Sequence, residues 1–94
     1  MSCVMLKIED VSEVSGTTLT LIGRISSPDV QVLKARIAEA AGPVALDLQQ
    51  VRLLDLDAAR YLAAAERRGI ELRNLPPYVG EWVLLERQRL NDLE

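Results

Sequence analysis

The sequence contains no histidine and only one cysteine, Cys3. A disulfide within the chain is therefore excluded, and a structural zinc site would lack two of its favoured ligand types. After Pro28 the chain has no serine or threonine, and Lys34 is the only lysine there. A nucleophile paired with a general base would find no serine, threonine or cysteine in that part of the chain, which argues against the usual acyl-transfer enzymes.

Long apolar runs and an excess of positive charge are also missing. The 94 residues are 49% hydrophobic and 27% charged, and the formal net charge is -3. No segment approaches the roughly 20 apolar residues that cross a bilayer, and the apolar start before Lys7 is too short for a signal peptide. The negative charge argues against nucleic acid, whose phosphates are bound by Lys and Arg. We expect one cytoplasmic domain over residues 1–94, without membrane insertion.

Carboxylates are the remaining candidates for chemistry. Asp47, Asp55 and Asp57 lie near the end of a strand pattern and the start of a helix pattern, and such oxygen ligands suit Mg²⁺ or a phosphate-accepting site. A receiver-type site would also need a lysine and a hydroxyl nearby, and this half of the chain supplies neither in a suitable place. The scattered glycines form no phosphate-binding loop. We therefore expect no metal, no cofactor and no enzymatic activity.

The first half of the chain predicts two strands and a helix. Apolar residues alternate on both sides of the Ser15-Gly16 turn, at Val4, Leu6, Ile8, Leu19 and Leu21. Ser26, Pro28 and Asp29 then supply a capping hydroxyl, a residue suited to the first helical turn and an acid near the positive end of the helix. The helix should end at Gly42-Pro43, and its apolar face consists of Val30, Leu33, Ile37 and Ala41.

Residues 44–69 predict a strand, an acidic loop and a second helix. We expect a strand over 44–48, a polar turn at Gln49-Gln50 and a short apolar run over 51–54. Asp57 is the predicted helix cap, since a carboxylate accepts hydrogen bonds from the free amides of the first turn. The helix should stop at Gly69, because glycine adopts the left-handed conformation at little cost.

The last part of the chain predicts one more strand and one more helix. Residues 70–75 alternate like a strand, which Pro76-Pro77 ends. A helix should begin near Tyr78, with residues 91–94 frayed. We expect its packing residues to be Val79, Trp82, Val83 and Leu90.

The alternation within the strands predicts how the layers are arranged. Each strand is apolar at alternate positions only, so one face of the sheet should carry no helices. Right-handed crossovers that advance in one direction place their helices on the same side. We expect a two-layer α/β fold in the order β-β-α-β-α-β-α, with three parallel strands and an antiparallel first strand at one edge.

The stretch from Asp47-Leu48-Gln49-Gln50-Val51 through Leu53-Leu54 to Asp55 and the helix start resembles the STAS domain of bacterial anti-sigma factor antagonists. Leu21-Ile22-Gly23-Arg24-Ile25 and Gly69-Ile70-Glu71-Leu72 extend the resemblance over most of the chain. In the family, the loop usually reads Asp-Ser-Ser-Gly, with a phosphorylatable third residue. Here it reads Asp55-Leu56-Asp57-Ala58, so Asp57 stands at the hydroxyl position and the family's phosphorylation switch does not carry over.

The resemblance implies a module for signalling and transcription regulation that binds an anti-sigma factor or a kinase-like regulator. The implied partner-binding residues are Leu54, Asp55, Leu56, Asp57, Ala58, Arg60 and Tyr61. The alternative is a small STAS-like accessory subunit of an ABC transporter ATPase, and a weak homodimer is the other assembly that we consider. For Leu56 two placements are open, an exposed docking anchor or a seal on the core.

Overall fold

The computed structural model describes residues 6–40 and 42–92 and contains four strands and three helices. The strands are β1 (Leu6–Glu13), β2 (Gly16–Ile25), β3 (Val44–Leu54) and β4 (Glu71–Arg73). The helices are α1 (Ser27–Glu39), α2 (Leu56–Arg67) and α3 (Pro77–Asp92). The chain therefore has the predicted order β-β-α-β-α-β-α. Val4, Ala41 and the end of the predicted frayed tail lie outside the described residues, whereas Asn91 and Asp92 still belong to α3.

The four strands form one mixed sheet in the order β1-β2-β3-β4. β1 is antiparallel to β2 at one edge, and β2, β3 and β4 are parallel. The fold is a two-layer α/β fold, as the alternation predicts.

The core lies between one face of the sheet and the three helices. Its buried residues form one cluster, to which β2 contributes Leu19, Leu21 and Ile25, and β3 contributes Leu46, Leu48, Val51 and Leu54. Each helix adds buried side chains to the same cluster, among them Leu33 of α1, Leu62 of α2 and Val83 of α3. The other face carries polar residues such as Thr18, Thr20 and Asp47, which are partly exposed.

The predicted turn at Gln49-Gln50 is wrong, because β3 is continuous from Val44 to Leu54. The pairing with β2 shifts twice, so that Thr20 lies opposite Asp47 whereas Ile22 lies opposite Gln50, and Arg24 lies opposite Leu53. Each shift gives β3 one extra residue, which is the arrangement of a β-bulge.

Two further predictions are wrong. Asn74 does not extend the fourth strand, because β4 ends at Arg73 and Asn74 has a φ of 56°, which is incompatible with a strand. Trp82 does not pack in the core, since 41% of its surface is exposed, whereas Val79 and Val83 on the same helix are buried. The third helix therefore buries a narrower face than the sequence predicts.

Candidate functional site

The start of α2 is capped by Asp55, and the prediction that Asp57 is the cap is wrong. The Asp55 carboxylate accepts a hydrogen bond from the amide of Ala58 at 2.9 Å, in the geometry of an N-cap. Leu56 is the first helical residue, so Asp57 lies within the first turn. Asp57 keeps a favourable position there, because a negative charge is stabilised near a helix N-terminus.

Both carboxylates also bind Ser27, the first residue of α1. The amide of Ser27 donates to the second oxygen of Asp55 at 2.8 Å, and its hydroxyl donates to Asp57. The strand ends are joined as well, since the amide of Asp55 donates to the carbonyl of Ile25 at 3.1 Å. The N-termini of α1 and α2 therefore lie side by side, and hydrogen bonds join the loop between β3 and α2 to both helices.

Asp55, Leu56 and Asp57 together form a surface that we name the α2 entrance. Leu56 is 42% exposed although it is apolar, and the residues on both sides of it are carboxylates in hydrogen bonds. Of the two placements open from the sequence, the structure thus shows a Leu56 side chain that solvent reaches. An apolar group on a rigid charged surface is suited to contact with another protein.

The other residues of the predicted site divide between core and surface. Leu54 and Ala58 are buried and support the α2 entrance from below. Arg60 is exposed and its Nε lies 3.3 Å from a carboxylate oxygen of Glu86 on α3. Tyr61 is partly buried, with the ammonium of Lys34 5.7 Å from the centre of its ring, and burial raises the pKa of its hydroxyl. Tyr61 therefore faces α1, whereas Arg60 faces α3.

Asp47 does not belong to this site. Asp47 lies on β3, whereas Asp55 follows the end of that strand eight positions later. Eight residues of extended chain span up to about 26 Å. Its carboxylate accepts hydrogen bonds from the amide of Gln49 at 3.1 Å and from the side chain of Asn74 at 3.3 Å. In the described part of the chain, no three side chains of metal-ligating type are grouped so that they could hold an ion.

Two residues of this region were not identified from the sequence. Ser27 contacts the α2 entrance across 28 positions to Asp55, and its only sequence signal is the Ser26-Ser27-Pro28 start of a helix. Glu86 is the other, because nothing in the sequence distinguishes it from the other charged residues of α3. Both contacts depend on how the helices are placed side by side, which a local pattern does not contain.

No family model matches this chain, and no curated protein matches it. No described helix has both the length and the hydrophobicity that a bilayer crossing requires.

Proposed function

We propose that this chain is a non-enzymatic, cytoplasmic protein-interaction module of the anti-sigma factor antagonist type, which docks on its partner through the α2 entrance. The observation that carries the proposal is the exposed Leu56 between two carboxylates whose positions Ser27 fixes. An ordered surface loses little conformational freedom on binding, which favours affinity. The order of strands and helices agrees with the family that the sequence resembles, although a fold alone does not determine function.

The proposed partner is an anti-sigma factor or a kinase-like regulator with a basic surface. Asp55 and Asp57 present two negative charges around Leu56, so the complementary surface would carry Lys or Arg around an apolar pocket. Residues 54–61 contain no Ser or Thr, so the partner would not control binding by phosphorylating a serine or threonine of this loop. Regulation through the amount of protein or through another domain is the alternative that this sequence allows.

The identity of the partner is tested by capture from a lysate of the native cell followed by mass spectrometry. An anti-sigma factor or a kinase-like regulator would support the proposal. An ABC-type ATPase as the specific partner would replace it with the role of a transporter accessory subunit. Recovery of only further copies of this chain would replace it with self-association.

The docking site is tested with Leu56→Glu. Because Leu56 is exposed, the substitution should change the free energy of unfolding by about 0.5 kcal/mol or less. Binding to the captured partner should weaken about tenfold or more, because a third negative charge would replace the apolar anchor. Affinity is measured by calorimetry and stability by urea unfolding.

Val32→Glu is the matched control, because Val32 is an exposed apolar residue on α1, with 51% of its surface accessible. It should leave affinity unchanged within about twofold. A folded Leu56→Glu protein that binds normally would refute docking at the α2 entrance and direct attention to the sheet face with Thr18 and Thr20. A large loss of stability would show that Leu56 supports the core.

A further inference from the structure

A groove between α2 and α3 has a composition that the proposed docking site does not explain. Arg60, Ala64, Glu86, Arg89 and Leu90 line it, and its accessible surface is mainly apolar. Arg60 and Ala64 come from α2, whereas the other three residues come from α3. The two helices run in the same direction here. Arg60 pairs with Glu86, and four residues further along α2 and α3 the groove is lined by Ala64 and Leu90.

The charges in the groove do not cancel. Glu86 accepts from Arg60 at 3.3 Å and lies 3.7 Å from Arg89, and only 13% of its side chain is exposed. The side chains of Arg60 and Arg89 are 44% and 51% exposed. Two guanidinium groups therefore share one nearly buried carboxylate, which leaves a positive charge at the surface of a protein with a net charge of -3. Each guanidinium has five N–H donors, so both retain donors for another acceptor.

Apolar side chains adjoin this positive centre. Trp82 lies one helical turn before Glu86, and Leu56 lies one turn before Arg60, so both fall on the same sides of their helices as the ion pair. Trp82 is 41% exposed and Leu56 is 42% exposed. On the other side of the charges the groove continues to Ala64 and Leu90. Apolar surface thus lies before and after a positive centre along the direction of the helices.

We propose that the α2–α3 groove binds an amphipathic helix of a protein partner in which a carboxylate lies between apolar side chains. The carboxylate would bind Arg60 and Arg89, and the apolar residues about one turn away would pack on Trp82 and on Leu90. Trp and Arg are among the residue types that contribute most to protein interfaces, and here Trp82 lies one helical turn from the Glu86 that both arginines contact. This inference extends the α2 entrance along α2 and rests on the proposed function for the nature of the partner.

The test uses a synthetic amphipathic helix of about 15 residues, free of Trp, with one glutamate between two leucines on its apolar face. Trp82 is the only tryptophan of the chain, so its fluorescence reports on the surface of α3 that adjoins the groove. The peptide should shift the Trp82 emission to shorter wavelength, because the indole leaves water. The same peptide with lysine in place of glutamate should bind about tenfold more weakly or not at all.

Arg89→Glu should weaken binding of the glutamate peptide about tenfold or more, because it reverses the charge that faces the peptide. Arg52→Glu is the matched control, since Arg52 is exposed on β3 and the change in net charge is the same; affinity should stay within about twofold. If thermal unfolding shows that Arg89→Glu is poorly folded, Arg89→Gln removes the charge at nearly constant size and should still weaken binding several-fold.

The inference is refuted if the glutamate peptide leaves the Trp82 emission unchanged, if the lysine peptide binds equally well, or if folded Arg89 variants bind like the parent. The experiments distinguish failure of the groove from failure of the α2 entrance. Loss of the cellular partner in Leu56→Glu without any peptide binding would reject the groove and retain the α2 entrance. Peptide binding together with a cellular partner that is insensitive to Leu56→Glu would reject the entrance and retain the groove.

Discussion

Ser27 connects the N-termini of α1 and α2 through hydrogen bonds of its amide and its hydroxyl. Its amide and hydroxyl bind different carboxylates, Asp55 and Asp57. The carboxylate of Asp29 accepts from the amide and the hydroxyl of Ser26, the N-cap of α1, at 2.9 and 2.8 Å. Three acids therefore lie near the positive ends of α1 and α2, where the helix dipoles favour them. The acids of the α2 entrance therefore also stabilise the fold, in addition to any contact that they make with a partner.

The division of roles between the two carboxylates is tested by comparing Asp55→Ala with Asp57→Ala. Asp55→Ala should lower the free energy of unfolding by about 0.5 to 2 kcal/mol, because it removes the cap of α2 and the acceptor for the Ser27 amide. Asp57→Ala should cost less than about 1 kcal/mol, because it removes a charge near the dipole and a contact with an exposed hydroxyl.

Urea unfolding followed by circular dichroism measures both values. Ser27→Ala serves as the control for Asp57, since it removes the same contact from the other side. A larger cost for Asp57→Ala than for Asp55→Ala would return the capping role to Asp57.

The sequence identifies the acids of this site but not their roles. Asp55 and Asp57 are both plausible caps from the pattern alone, because each precedes a run of good helix formers. The choice depends on which residue first adopts helical dihedral angles, and this differs by two positions between prediction and structure. Asp55 also accepts from Ser27 of α1, a contact between distant parts of the chain that a local sequence pattern does not contain.

At the scale of the elements, β3 shows how a strand can bury residues at a spacing of three. Leu48, Val51 and Leu54 all lie in the core, whereas Gln49-Gln50 and Arg52-Leu53 are exposed pairs. A regular strand would send every second residue to one face, so the two extra residues of the bulges restore the core face after each pair. A polar pair between apolar residues resembles a turn in sequence, so the pattern at Gln49-Gln50 predicts a turn although the strand continues.

The turn between β1 and β2 packs closely against the start of β3. Gly16 has a φ of 143°, and a Cβ atom there would collide with the carbonyl oxygen of Pro43, which accepts from the amide of Thr17 at 2.8 Å. Gly16→Ala should therefore destabilise the protein by about 1 to 3 kcal/mol through backbone strain and by more if Pro43 cannot move. Urea unfolding gives the value, and a loss below about 0.5 kcal/mol would show that the two segments separate easily.

Gly80 is the opposite case, since it lies within α3 without a positive φ. The nearest atom to an added Cβ would be the Cβ of Leu75 at 3.8 Å, which is an ordinary contact distance. Gly80→Ala should stabilise the protein by about 0.4 to 1 kcal/mol, because alanine loses less conformational entropy on folding. A rise in the urea midpoint at constant slope confirms this, whereas a fall would show that Leu75 is crowded.

At the scale of the whole molecule, the two faces of the sheet have different roles. One face is covered by all three helices, and the other presents polar residues such as Thr18, whose hydroxyl lies 3.4 Å from a guanidinium nitrogen of Arg73. The layer arrangement could be predicted because it follows from alternation along β2 and from the handedness of the crossovers. The exposure of Trp82 could not be predicted, because the sequence of α3 does not show which of its apolar residues the neighbouring helix covers.

The two tyrosines make contacts between elements of the fold, and they make the stability of the protein dependent on alkaline pH. Tyr61 on α2 packs beside Lys34 of α1, and the hydroxyl of Tyr78 on α3 donates to the carbonyl of Val51 on β3 at 3.3 Å. Burial raises the pKa of both hydroxyls above the ordinary value of 10.0, and for Tyr61 nearby Arg68 offsets part of this effect. The folded protein thus holds these protons more tightly than the unfolded chain.

Below the ordinary tyrosine pKa, both states are protonated and the hydroxyls add no pH dependence. As the pH rises past 10.0, the unfolded chain loses its tyrosine protons first, so the free energy of unfolding falls until the folded state also titrates. Urea unfolding at about pH 8 and about pH 11 should show this loss in the parent and a smaller one in the double variant Tyr61→Phe, Tyr78→Phe. The difference between the two pH values is the quantity to compare, because Tyr78→Phe also removes a hydrogen bond at neutral pH. Equal losses in both proteins would assign the alkaline dependence to the growing negative charge of the whole chain instead of to these two hydroxyls.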